Sequence, residues 1–145
     1  MRLIRSILLF IVAFGCTSTK TASSNAEVKS TQLNGSWIPV QQEIAGKSLP
    51  KAAFSSQKLT LSDSTYTFAA ESVDKGVVKY TDDKMDIYGR EGVNAGKHFT
   101  AIYKLDNDQL TICYNLAGDS YPVAFETKTK PTLFLSVFTK EQPKQ

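Results

Sequence analysis

Cysteine, histidine and arginine are all scarce in this chain, and each scarcity closes off a kind of chemistry. The single histidine, His98, rules out zinc sites built from several imidazoles, and Cys113 is its only possible soft co-ligand. A Ser-His-Asp triad would have to use that same His98, yet no serine stands in a G-x-S-x-G setting. The paired carboxylates, Asp82-Asp83 and Asp106 with Asp108, fall in polar turns where nothing raises a pKa for acid catalysis. The LDNDQL stretch around Asp106 fits a hairpin better than a calcium loop, which needs six to eight oxygens and defined spacing. We therefore expect no enzyme, no cofactor and no metal site. Helical periodicity is nearly absent, and the longest apolar run, residues 7–14, is far short of the roughly 20 needed to cross a bilayer.

That run sits at the start of the chain. Residues 1–6 (MRLIRS) are cationic, 7–14 are greasy, and the small Gly15 precedes Cys16: the layout of a secretory signal. The Ala13-Phe14-Gly15-Cys16 end resembles the lipobox of a bacterial lipoprotein signal, with Phe14 bulkier than usual. The resemblance implies cleavage before Cys16 and acylation of its sulfur (palmitate-type lipidation), so residues 1–15 are expected to be removed and Cys16 to become a membrane anchor. Thr17 follows the cysteine where the enterobacterial inner-membrane signal has aspartate, which points to the outer rather than the inner membrane of the cell envelope. Residues 16–32 then form a Ser/Thr-rich tether without periodicity, holding the domain about 20–25 Å from its anchor.

Removal of Arg2 and Arg5 lowers the basic residues from 17 to 15 against 14 acids, a net charge of +1, and leaves Arg90 as the sole arginine. Nucleic-acid readers concentrate basic charge and use arginine on bases, so nucleic acid is excluded as a partner. With Cys16 lipidated, Cys113 has no disulfide partner; lying in LTICYN, it reads as a small buried hydrophobe rather than a reactive thiol.

What is abundant is short alternating runs. Strands are expected at 36–43, 58–62, 65–70, 76–81, 84–88, 99–105, 109–114 and 132–140, most joined by links that suit antiparallel neighbours. Eight strands in sequence satisfy their edges best by closing, so 33–141 is expected to be an all-β, eight-stranded antiparallel up-and-down β-barrel, with 142–145 a disordered tail. The last strand is apolar on both faces. Residues 44–56 are expected to hold one helical turn with Ser48 as cap and Pro50 in its first turn. The long link 115–131, carrying Tyr121, Val123 and Phe125, should fold back on the barrel, either over an open end or along a side.

Against this background LNGSW at 33–37 is informative. Gly35-x-Trp37 at the start of the first strand resembles the first signature of lipocalins. The further pattern Gly46, Pro50, Asp86-Ile87, Gly96-Lys97, Ile102-Tyr103, Leu105-Asp106, Leu110 and Ile112-Cys113 is similar to the lipocalin-like domain abundant in planctomycete proteins and found in bacterial lipoproteins. The resemblance implies that Trp37 plugs the closed end of the barrel, with Gly35 beside it and Lys140 where typical lipocalins carry an arginine.

Two functions follow as expectations. A lipid-anchored barrel would bind a small hydrophobic ligand through its inward side chains: Tyr66, Phe68, Met85, Phe99, Tyr103 and Tyr114. Three inward tyrosines favour a wet or occupied interior, although a barrel this small can also simply be filled. Alternatively, the loops at 89–98 and 115–131 would contact an envelope protein, as a hydrolase inhibitor or assembly partner does.

Overall fold

The fold is seen in a computed structural model that describes residues 31–142; the leader, Cys16 and the expected tether up to residue 30 lie outside the described residues. Strands β1 (Gly35–Ile44), β3 (Lys58–Ser62), β4 (Thr65–Ala69), β5 (Val73–Thr81), β6 (Lys84–Glu91), β7 (His98–Asp106), β8 (Gln109–Asn115) and β9 (Leu133–Lys140) follow one another around a single antiparallel sheet. β1 pairs with β9 over Trp37 to Ile44, so the sheet closes into an eight-stranded barrel. Closure leaves no long edge exposed, which is why a chain without a disulfide adopts it.

Three two-residue turns, Asp63-Ser64, Asp82-Asp83 and Asn107-Asp108, cluster at one end of the barrel. Asp63, Asp82 and Asn107 each take a positive φ of 50–54°, a conformation that Asp and Asn tolerate. The other end receives the longer links, 45–57, 70–72, 92–97 and 116–132. Hairpin chemistry thus makes one end tight and the other open.

The segment after β1 differs from expectation. Ser48 lies in a short strand, β2 (Lys47–Ser48), hairpinned to Glu43 and Ile44 outside the barrel. Pro50 occupies the cap position of a 3-10 turn, Lys51–Ala53, without any side-chain cap. Ala45 and Gly46 both take positive φ in a two-residue hairpin turn, which Gly46 favours, and this turn draws Ser48 into the ladder.

β1 carries a bulge between Pro39 and Gln41. Before it Trp37 and Pro39 point inward; after it Gln42 and Ile44 do, so one extra residue switches the parity of the inward face. β5 begins three residues earlier than its apolar alternation suggested, and the extension places Asp74 inward and buried.

The barrel has two apolar layers. Inside, Trp37, Leu59, Leu61, Tyr66, Val78, Met85, Ile87, Ala101, Tyr103, Leu110, Ile112 and Phe138 form the core. Outside, Ile102, Cys113 and Leu135 cluster with Val137 packed on them. The 116–132 segment runs along this outer wall. Thr100 Oγ1 donates to Ser120 O (2.7 Å), Cys113 Sγ lies 3.7 Å from Glu126 O, and Gly46 N donates to Thr127 Oγ1 (2.8 Å). Thr127 is itself fully buried and bonds Glu43. Of the two alternatives, this link lies along a side, and its cover explains why β9 is apolar on both faces.

Candidate functional site

The closed end is built around Trp37. Its indole is 1% exposed, and Nε1 donates to Leu33 O at 2.8 Å across the helical turn at 31–33. Lys140, paired with Trp37 across β1 and β9, carries its Nζ over the ring at 5.3 Å from the centroid. Gly35 makes this passage possible: a Cβ there would sit 3.0 Å from Lys140 Cε, and its φ of +131° favours glycine. Lys140, named from sequence with Gly35 and Trp37 as the plug, therefore lies against both of them, with its charged end over the indole.

Above the plug lies a cavity of about 560 Å³, within the size range of small-molecule sites. Its wall is overwhelmingly apolar. Tyr66, Phe68, Met85, Phe99 and Tyr114, all named from sequence, line it, together with Leu59, Leu61, Ile87, Phe134 and Phe138, which were not. Tyr103 does not. It sits nearer the closed end, its hydroxyl donating to Asp82 O (3.0 Å), and it borders a smaller hollow with Leu33, Asp83 and Leu105. Alternation assigns Tyr103 to the inner face correctly, but face alone gives no height along the barrel.

Room inside comes partly from absent side chains. A Cβ on Gly76 would lie 2.6 Å from Tyr66 Cε1, so the Tyr66 ring packs against bare backbone. Ala101, paired with Tyr114, is likewise small and fully buried.

The rim is polar and was not anticipated. Asp74, 4% exposed, accepts from Asn94 N (2.9 Å) and Nδ2 (3.3 Å), and Lys97 Nζ donates to Asn94 Oδ1 (3.1 Å). The 92–97 link reaches this position by folding back on β6, where a Cβ on Gly89 would lie 1.9 Å from Asn94 O. Across the mouth, buried Gln42 donates to Gln57 Oε1 (2.7 Å) and Ser136 Oγ (3.4 Å). One sequence signal pointed to Asp74: it shares parity with Gly76 and Val78.

Electrostatically the interior is a place for neutral donors. Burial first, and then Asp74, raises the Tyr66 pKa; burial, then Tyr80 and Tyr66, raises that of Tyr114. Tyr80 is also raised, by burial and then by Tyr103, and its buried hydroxyl has no hydrogen-bond partner among the described residues. Cys113, in the outer layer, has its thiol pushed up to about 11, chiefly by burial.

On the outer wall His98 Nε2 and Asp86 Oδ1 are 2.8 Å apart, and Tyr121 donates to Asp86 Oδ2 at 2.5 Å. The His98 ring stacks on Tyr88 at 4.6 Å. This cluster staples the 116–132 segment to β6 and β7. Among the described residues no three His, Cys, Asp or Glu side chains are grouped to hold a metal. Compared with known proteins, the chain matches no family model, no curated protein and no solved structure.

Proposed function

We propose that this β-barrel is a lipocalin-like binding protein that takes a small, mostly apolar molecule into its interior while tethered to the cell envelope through an acylated Cys16. The observation that carries the reading is the apolar cavity of about 560 Å³, open at the end opposite the Trp37 plug. Five of the six side chains named from sequence as ligand contacts face that one space. A purely structural barrel of this size would fill its centre with side chains. The lipobox-like sequence before Cys16 supports the anchor, and Thr17 supports the outer membrane.

Native mass spectrometry of the purified protein should reveal a co-purified or added hydrophobe bound one to one. Trp37 emission is a poor reporter, because the indole is sealed beneath Lys140 rather than exposed to the cavity. Displacement of a neutral solvatochromic dye such as Nile red is the better assay. A protein that binds neither dye nor any hydrophobe would sink the reading. The anchor is tested separately: Cys16→Ser should move the protein from the membrane to the aqueous fraction.

The second reading, a protein-binding role through the loops, has one feature in its favour: Val123 on the outer-wall segment is 95% exposed, with Phe125 close by. A stoichiometric partner captured from envelope extract and lost on Val123→Asp would favour it.

A further inference from the structure

The cavity has an uneven distribution of polar groups. Among the described residues its only charged lining residues are Asp74 and Lys97, both on the rim and both already hydrogen-bonded to Asn94. Below the rim the polar groups in the wall are the hydroxyls of Tyr66 and Tyr114, and neither bonds to another described residue. The hydroxyl of Tyr80 lies within electrostatic reach of Tyr114 and is buried without a partner among the described residues. Tyr103 is not part of this set, since Asp82 O accepts its proton.

These hydroxyls remain protonated donors, because burial disfavours the phenolate. Among the described residues only the Tyr80 hydroxyl is fully buried without a partner; Tyr66 and Tyr114 line the cavity, whose apolar surroundings make an acceptor there gain more than it would in water. Among the described residues the cation lining the cavity, Lys97, stands at the rim bonded to Asn94, and Asp74 adds negative potential at Tyr66. An anionic head group buried there would be desolvated and unpaired, a far larger penalty than burying a carbonyl.

On the reading that the cavity binds a ligand, we propose that the ligand is an uncharged hydrophobe carrying a carbonyl- or ether-type oxygen. It enters oxygen first: Tyr66 and Tyr114 donate to that oxygen while the apolar body extends towards the mouth past Phe68, Phe99 and Phe134.

The test is Nile red displacement from the purified protein by methyl laurate, laurate and dodecane, which share a chain and differ in the end group. Methyl laurate should compete about tenfold better than either of the others. The double substitution Tyr66→Phe with Tyr114→Phe keeps both rings, and it should cost methyl laurate about tenfold while leaving dodecane unchanged. The two single substitutions serve if the double variant fails to fold, each with a smaller loss. Equal competition by all three, unaffected by the Tyr→Phe changes, overturns the inference yet leaves a cavity that binds hydrophobes. So does tightest binding of laurate, with a loss on Lys97→Gln instead, which would place the head group at the rim. Only a barrel that takes up no dye and no competitor removes the cavity reading itself.

Discussion

The two ends of this barrel are made from the same eight strands, yet they are organised by opposite rules. At the closed end, two-residue turns bring strand ends together. Apolar bulk from Leu33 and Trp37 fills the gap, and Asn34 bonds to Asp63 in both directions, at 2.9 and 2.6 Å. At the open end the links are long, glycines 89 and 92 let the backbone fold close, and Asn94 joins Asp74 and Lys97 through hydrogen bonds. Stability is concentrated at the first and access at the second. Polar contacts contribute modestly to net stability and break locally, whereas a packed indole holds an entire end.

That contrast can be broken most directly by truncating an aromatic at each end. Trp37→Ala should cost about 3–5 kcal/mol in urea unfolding, because it leaves a large cavity in the packed plug. Phe99→Ala, on the wall of an existing cavity, should cost clearly less. Equal losses would mean that the ends do not differ. Next in size is Gly35→Ala, where positive φ and the approach of Lys140 together should cost about 1–3 kcal/mol. Dye binding should survive that change if the plug and the cavity are separable.

A smaller effect concerns the segment that leaves the mouth and descends the outer wall. Burial alone would raise the Asp86 pKa, but hydrogen bonds from Tyr121 and His98, together with the electrostatic pull of His98 and Lys79, lower it below the ordinary 3.8. Its stabilising contribution is therefore present above that value and is lost as pH falls through the lower folded pKa. Tyr121 is pushed up to about 12, first by its hydrogen bond to Asp86, so its contribution holds below pH 10 and is lost as pH rises through about 12. Limited proteolysis within 116–132 should be slow between these limits and faster outside them. Asp86→Asn should flatten the acid side. The smallest change expected is Tyr80→Phe. It removes a buried hydroxyl that has no partner among the described residues, so stability should be unchanged or rise by up to about 1 kcal/mol. A clear loss would show that this hydroxyl is satisfied in solution.

Much of the barrel was legible because alternation is a local property. Phe99, Ala101 and Tyr103, or Leu110, Ile112 and Tyr114, declare one inward face without knowledge of their neighbours. What escaped depends on contacts between distant residues. Ser48 reads as a helix cap until the Ala45-Gly46 hairpin pulls it against Glu43. Asp74 falls before the expected strand at 76–81, and its partner Asn94 lies twenty residues on in a link that folds over to meet it. The bulge after Pro39 is invisible in sequence because only the fixed register of β9 reveals the extra residue.

By itself, then, the order of residues determined that this chain would form a closed antiparallel barrel with Trp37 at one end and no covalent brace. Side-chain parity and turn propensity act over a few residues, and closure follows from satisfying the sheet edges. Tertiary structure alone decided that the centre stays open, that Tyr103 lies below it and that 116–132 lines the wall. Volume, height along the axis and loop path are set by how separate strands register against one another, and no short stretch of chain encodes that.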